Sequence, residues 1–293
     1  MTAAGTAGSE ASGQADAPGQ AIEAVFFYHV PKTAGMTLLK HFHERFPGQV
    51  FSPEKDNSPL TDILRSKKYL ATADRLERLA ASRAIAGHQA SLSMLEHAAA
   101  PFYMVCFWRD PADYHVSNFN WRNETKGHRR RRPIDFETHH RWLLRNPMTR
   151  YFLLYACDVR GLDFFLMSDW RKFRTALANI ERFDLFADIS KVDGFIAALG
   201  CKHSGNVNVV PAERKKKHAI SATDRERLRQ RNIVDLYIHR IALGENRDAV
   251  AAEADAKLSR LMDPRDIADI LLTPWYRWCV VVWPYLRMPW QPR

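Results

Sequence analysis

At 293 residues the chain can bury a sizeable core, as one large α/β domain or two small ones. Lys and Arg number 43 against 33 Asp and Glu, a formal charge of +10 that favours anionic partners: nucleic acid, acidic glycan, phosphorylated cofactor or membrane surface. Cys106, Cys157, Cys201 and Cys279 form no CxxC pair and no metal-like spacing, which argues against a disulfide framework and fits a reducing compartment.

Residues 1–21 are rich in Ala, Gly and Ser, with no basic n-region and no apolar h-region, and read as a disordered tail rather than a signal peptide. AVFFYHV (24–30) is a short continuous apolar run ended by Pro31, the pattern of a buried strand. MTLLKHFHERF follows with Met36, Leu39, Phe42 and Phe46 at helical spacing, so the opening unit reads strand, tight turn, helix. ADRLERLAASRA (73–84) reads as a helix leading to a short strand that ends at Gly87-His88. FYMVCFW (102–108) reads as a strand, RDPAD as a turn and YHVSNFNW as the entry to a helix.

The basic run KGHRRRR (126–132) precedes mainly helical sequence. DLFADISKVDGFIAALG (184–200) reads as strand, loop and helix. ISATDRERLRQRNIVDLYIHRIAL (220–243) predicts one long amphipathic helix capped by Ser221 or Thr223, with polar helix beyond to about residue 270. Strands alternating with helices imply an α/β fold with a central parallel sheet flanked by helices.

Two turns carry the chemistry. A strand that enters a small-residue turn and a helix start makes an anion site from backbone N–H groups and the helix dipole. In PKTAGMT (31–37), Lys32 adds a full charge, Thr33 and Thr37 add hydroxyls, and Gly35 permits close backbone approach. A Walker A loop places Lys and Thr at its far end instead, and no strand-end Asp for magnesium is evident. The loop therefore suits phosphate or sulfate bound without a divalent metal. In the second turn, Arg109 offers a fork of donors and Ser117, eight residues later, lies just over one turn into a helix that begins near Ala112, unless Arg109 simply pairs with Asp110 and Ser117 caps nothing. Together the two turns suit a ligand with two separated phosphate groups.

With these blocks in order, residues 24 to 242 resemble the carbohydrate sulfotransferases of the heparan-sulfate 2-O-sulfotransferase type and their bacterial relatives. The resemblance rests on FFYHVPKTAGMTL, IAGHQ, FWRDPADYHVSNFNW, RNPMTRYF, ERFDLF and LRQRNIVDLYIHRI. It implies a three-layer, P-loop-like fold and the cofactor 3′-phosphoadenosine 5′-phosphosulfate (PAPS), released as adenosine 3′,5′-bisphosphate. Lys32, Thr33, Ala34, Gly35, Met36 and Thr37 would hold the 5′-phosphosulfate, and Arg109 and Ser117 the 3′-phosphate. A late basic loop in the family points to Arg214 and Lys215 as further cofactor contacts. His88 would be the base, with Lys32 neutralising the leaving oxygen. Two departures stand out: Met36 where Thr or Ser is usual, and Tyr114 where a second arginine often stands.

The acceptor implied is a carbohydrate or lipid-linked glycan. The basic run 126–132 reads equally as a solvated loop or as a site for an acidic acceptor. Arg150 faces either the acceptor cleft or a structural ion pair. Two other classes compete. A P-loop-like small-molecule kinase would need ATP and Mg²⁺, which the inverted Lys-Thr placement disfavours. A nucleic-acid-binding module lacks any helix-turn-helix, RNP or zinc signature.

The expected organisation is tail 1–21, catalytic domain 22–273 and a Trp-rich tail 274–293. No run reaches the roughly 18 apolar residues of a membrane span, so a cytoplasmic protein is expected. The C-terminal tail holds four of the eight tryptophans and no acidic residue, a composition suited to the inner membrane interface or to docking on the core. Deleting 274–293 should release the protein from the membrane fraction while activity on a soluble acceptor is kept. Unchanged fractionation would sink the interfacial reading.

Overall fold

The computed structural model describes residues 22–53, 73–124, 135–137, 139, 145–159, 161–201 and 219–261. Strands β1 (Val25–Tyr28), β2 (Val50–Phe51), β3 (Ala84–Gly87), β4 (Tyr103–Trp108) and β5 (Leu185–Asp188) form one five-stranded sheet in the order β2-β3-β1-β4-β5. Every pairing is parallel. The helices are α1 (Gly35–Arg45), α2 (Ala73–Ala80), α3 (Pro111–Glu124), α4 (Pro147–Tyr151), α5 (Gly161–Leu166), α6 (Asp169–Ile180), α7 (Val192–Ala198), α8 (Ala222–Arg231), α9 (Ile233–Ala242) and α10 (Arg247–Lys257).

The period-2 geometry of a strand sends alternate residues to opposite faces, and both faces here are buried. Phe26, Tyr28, Ile85, Cys106 and Trp108 enter one core, with Tyr114 of α3, Phe173 of α6 and Val234 and Ile238 of α9. Val25, Phe27, Ala86, Val105 and Phe107 enter the other, with Leu38 and Phe42 of α1 and Phe195 and Ile196 of α7. Each such fully buried aromatic contributes about 1.5–3 kcal/mol relative to exposure. β1 and β4 are neighbours, yet α1 covers one face and α3 contributes to the other. That divergence is a topological switch point, and it opens a crevice at the C-terminal ends of the two strands.

Sequence and structure differ at several elements. β2 is only two residues long, too short to register as a strand pattern. The helix predicted over 220–243 is broken at Asn232, whose φ −113° and ψ 49° are not helical. Asn232 is diverted to tertiary bonds: Oδ1 accepts from Asn146 N at 2.8 Å, and Nδ2 lies 3.0 Å from His115 Nε2 while also donating back to the Leu228 carbonyl at 2.7 Å. Ser221, rather than Thr223, is the cap, accepting from Asp224 N at 3.0 Å. No described helix is long and apolar enough to cross a membrane.

The break at Asn232 belongs to a buried polar hub. Asn146, in the left-handed region at φ 48°, accepts through Oδ1 from Val234 N at 3.1 Å. The Asp235 carboxylate accepts from Met148 N (3.1 Å), Thr149 N (2.7 Å) and Thr149 Oγ1 (2.5 Å). It thereby caps the first turn of α4 from another helix. Arg145 donates to Asp169 at 2.8 Å beside it.

Burial raises the Asp235 carboxyl from an ordinary 3.8 to about 6, against the hydrogen bonds from Thr149 and Met148 that lower it. A raised folded value means stability is fully present below the unfolded value and is lost as pH rises through about 6. The stability of wild type relative to Asp235→Asn should therefore fall by up to about 3 kcal/mol between pH ~4 and ~7. Urea denaturation at each pH measures it, and a flat difference would refute the assignment.

Candidate anion-binding and catalytic site

After β1 the chain turns sharply at Thr33, whose N and Oγ1 donate to the Val30 carbonyl at 3.3 and 2.7 Å. Lys32 (φ 69°) and Ala34 (φ 64°) are left-handed on either side of it. Each left-handed non-glycine residue costs about 1–2 kcal/mol. Alternation in the sign of φ turns successive backbone N–H groups toward one side, the geometry of an anion nest. α1 then starts with no side-chain cap and no acidic residue in its first turn. By contrast α6, α8 and α10 are capped by Ser168, Ser221 and Asn246. The positive end of α1 is therefore served neither by its N-cap residue nor by a carboxylate of its own first turn.

His29 closes the turn from behind. Its half-buried ring accepts the Gly35 N–H at Nε2 over 3.1 Å. Burial, with the charges of His88 and Lys32, lowers its pKa well below 6.5, so the ring stays a neutral acceptor. A Cβ on residue 35 would lie 1.8 Å from this imidazole. Glycine is thus required here to seat His29, a reason the sequence reading did not supply.

His88 follows β3 and stacks on His29 with ring centroids 3.9 Å apart. Its Nδ1 lies 2.7 Å from the His29 carbonyl oxygen. A carbonyl can only accept, so Nδ1 carries the hydrogen and the basic lone pair of the neutral ring is on Nε2.

Arg109, at the end of β4, reaches across the switch point and donates from Nη1 to the Lys32 carbonyl at 3.2 Å. It has no ion pair among the described residues, and the pairing with Asp110 is not formed. Asp110 instead caps α3, accepting from Ala112 N (2.9 Å) and Asp113 N (3.1 Å). It also pairs with Arg229 at 2.7 Å and Arg225 at 3.4 Å. Burial lowers the Arg109 pKa, opposed by the fields of Asp113, Asp188 and Asp110.

Lys32 Nζ lies 5.0 Å from the Trp121 ring centroid on α3, an attraction of cation to π face. Ser117 stands four residues before Trp121 and shares its helix face.

The fold therefore bonds Arg109 to the backbone of Lys32 and, through His29, ties Gly35 to His88 at the same end of the sheet, with Ser117 placed by register. Thr33 does not offer a hydroxyl proton to a ligand, because the Val30 carbonyl takes it. Ala34 is left-handed and has only its backbone to offer a ligand, Thr37 is buried in the first turn of α1, and Met36 is 58% exposed. Tyr114 is buried in the core and so does not replace an anion-facing arginine. Arg214, Lys215, the basic run 126–132, and the tails 1–21 and 274–293 lie outside the described residues. His29 and Trp121 were missed, although both sit inside the motif blocks; a histidine within an apolar strand run was the available signal.

The reading that no acid ends a strand also needs correction, since β5 ends in Asp188. Asp188 accepts from Ser190 N at 2.9 Å and lies 3.0 Å from His239 Nε2. Burial raises its pKa, but these bonds outweigh burial and hold it below the usual carboxylate value. Among the described residues, no group of three or more His, Cys, Asp or Glu is arranged to hold a metal ion.

No protein-family model matches the chain, and no curated protein matches it in sequence.

The close approach of residue 35 to His29 is testable as a coupling. Gly35→Ala should destabilise the protein by about 1–3 kcal/mol through overpacking. Combining it with His29→Ala should cost at least ~1 kcal/mol less than the sum of the single changes. Strict additivity in urea denaturation would show that the ring does not occupy this space.

Proposed function

We propose that the protein is a sulfotransferase that moves the sulfuryl group of PAPS to a hydroxyl of a carbohydrate or glycolipid acceptor, on a three-layer P-loop-like α/β fold. The observation that carries this reading is that Lys32, Arg109 and His88 follow the C-terminal ends of the three adjacent strands β1, β4 and β3, beside a helix start without acidic residues. Two cationic turns joined by one hydrogen bond suit a ligand with two separated anionic groups. Lys32 to Thr37 would hold the 5′ side, and Arg109 with Ser117 the 3′ side.

Bound there, the nucleotide supplies an activated sulfuryl group. His88 Nε2 takes the proton of the acceptor hydroxyl, and the Nδ1–H bond to the His29 carbonyl steadies the imidazolium that results. Lys32 Nζ neutralises charge developing on the bridging oxygen. A sulfuryl group carries less charge than a phosphoryl group, so an ammonium and a helix N-terminus can serve where kinases also recruit Mg²⁺. The kinase alternative needs a carboxylate for Mg²⁺, and the acids nearest the ends of β4 and β5, Asp110 and Asp188, are engaged by protein donors. In this reading the enzyme works in the cytoplasm, with 274–293 as a contact to a membrane that carries a lipid-linked glycan.

A thermal-shift panel tests the class. Adenosine 3′,5′-bisphosphate at a hundredfold excess over its Kd should stabilise the protein by about 2.7 kcal/mol, or roughly 5–10 °C. Stabilisation by ATP with Mg²⁺ or by DNA, and not by the bisphosphate, would overturn the proposal. Lys32→Ala should lose both binding and turnover. His88→Ala should keep binding but lose sulfuryl transfer by about 10²-fold or more.

A further inference from the structure

Arg109 stands among three acids. Asp110 and Asp113 follow it in the chain, and Asp188 of β5 is the register partner of Trp108, the residue before it. Burial disfavours the charge of the Arg109 guanidinium, and the fields of Asp113, Asp188 and Asp110 oppose that burial. An arginine so placed ordinarily closes on a carboxylate, which then occupies its donor fork. Arg109 does not: it donates to the Lys32 carbonyl and forms no ion pair among the described residues.

Each of the three acids is held instead by a side chain from α8 or α9. Arg229 donates from Nε to Asp110 Oδ2 at 2.8 Å, and its Nη2 lies 2.7 Å from the same oxygen. Arg225, one turn earlier on the same face of α8, reaches Asp113 Oδ1 at 2.7 Å and Asp110 Oδ1 at 3.4 Å. His239 of α9 lies 3.0 Å from Asp188. Stability does not account for the two arginine pairs. The Arg225 and Arg229 side chains are 37% and 35% exposed, and ion pairs so open to water contribute little. What the pairs fix is which cation the acids face. The starts of α1 and α3 differ in the same sense: the first turn of α1 holds no acid, whereas α3 carries Asp113 and is capped by Asp110.

We propose that Arg229 and Arg225 are positioning residues for the anion site: by engaging Asp110 and Asp113 from α8, they keep the Arg109 fork open for an anionic group of the ligand. That this group is a 3′-phosphate rests on the sulfotransferase reading, but the effect on Arg109 itself does not. Without Arg229, Asp110 Oδ2 loses its cation and draws the neighbouring guanidinium, so Arg109 binds protein in place of ligand. The cap of α3 does not need the charge of Asp110, because an asparagine Oδ1 accepts from the same N–H groups.

The test compares Arg229→Met, Asp110→Asn and the double variant in the full chain. In the ¹⁵N-labelled protein without ligand, the Arg109 Nε–Hε resonance, assigned by its loss in Arg109→Lys, should move in Arg229→Met. It should return toward its wild-type position in the double variant. By calorimetry, Arg229→Met should bind adenosine 3′,5′-bisphosphate about tenfold more weakly, and AMP, which lacks the 3′-phosphate, within about twofold of wild type. The double variant and Arg229→Lys, which keeps the charge, should each bind the bisphosphate within about threefold of wild type. An Arg109 resonance that stays in place in Arg229→Met overturns the proposal. So does an equal loss of bisphosphate and AMP affinity, the mark of a merely structural role, or a loss that the double variant leaves unrepaired. If wild type binds no bisphosphate, the sulfotransferase reading fails, and the ligand-free resonance alone decides the role of α8. Should Arg229→Met not fold, Arg225→Met with and without Asp113→Asn makes the same comparison on the second pair.

Discussion

Neighbouring parallel strands whose helices depart to opposite faces leave a gap at their C-terminal ends that neither connection can fill. In this protein the gap lies between β1 and β4, with α1 on one face and α3 contributing to the other. Both connections are polar there and both carry positive charge: Lys32, Arg109 and the start of α1, whose first turn holds no acidic residue. A hydrogen bond from Arg109 to the Lys32 carbonyl ties the two cationic turns together across it. Such an arrangement is costly in isolation and becomes favourable when an anion enters.

The conformation of the turn follows from the same constraint. Thr33 spends its hydroxyl on Val30, and His29 spends its ring on Gly35, so the turn is stabilised from the protein side. Two left-handed residues are tolerated because these bonds over-determine the path. His29 then couples the turn to the proposed base, since its carbonyl sets the His88 tautomer. One residue therefore orders both halves of the site.

A second polar hub holds the opposite wall. Asp235 and Asn146 tie α4 to α9 through buried bonds, and removing either partner would strand N–H groups away from water. The hub joins NPMTR and RNIVD, which are distant in sequence. Asn146, Thr149, Asn232 and Asp235 are joined to one another by these bonds. The sequence reading left Arg150 between two roles, because a one-dimensional pattern cannot show whether an acid waits nearby.

By itself the sequence determined the parallel α/β class, the position of four of the five strands, and the two turns on which the site is built. These are local properties: continuous apolar runs, a proline stop, and small residues ahead of helical spacing. Tertiary structure alone decided the role of His29, the service of Gly35 to an imidazole, the break at Asn232, and the engagement of Asp110 by Arg225 and Arg229. Each depends on a partner from six to well over a hundred residues away in the chain, and hydrogen-bond satisfaction between such partners leaves no periodic trace in the sequence.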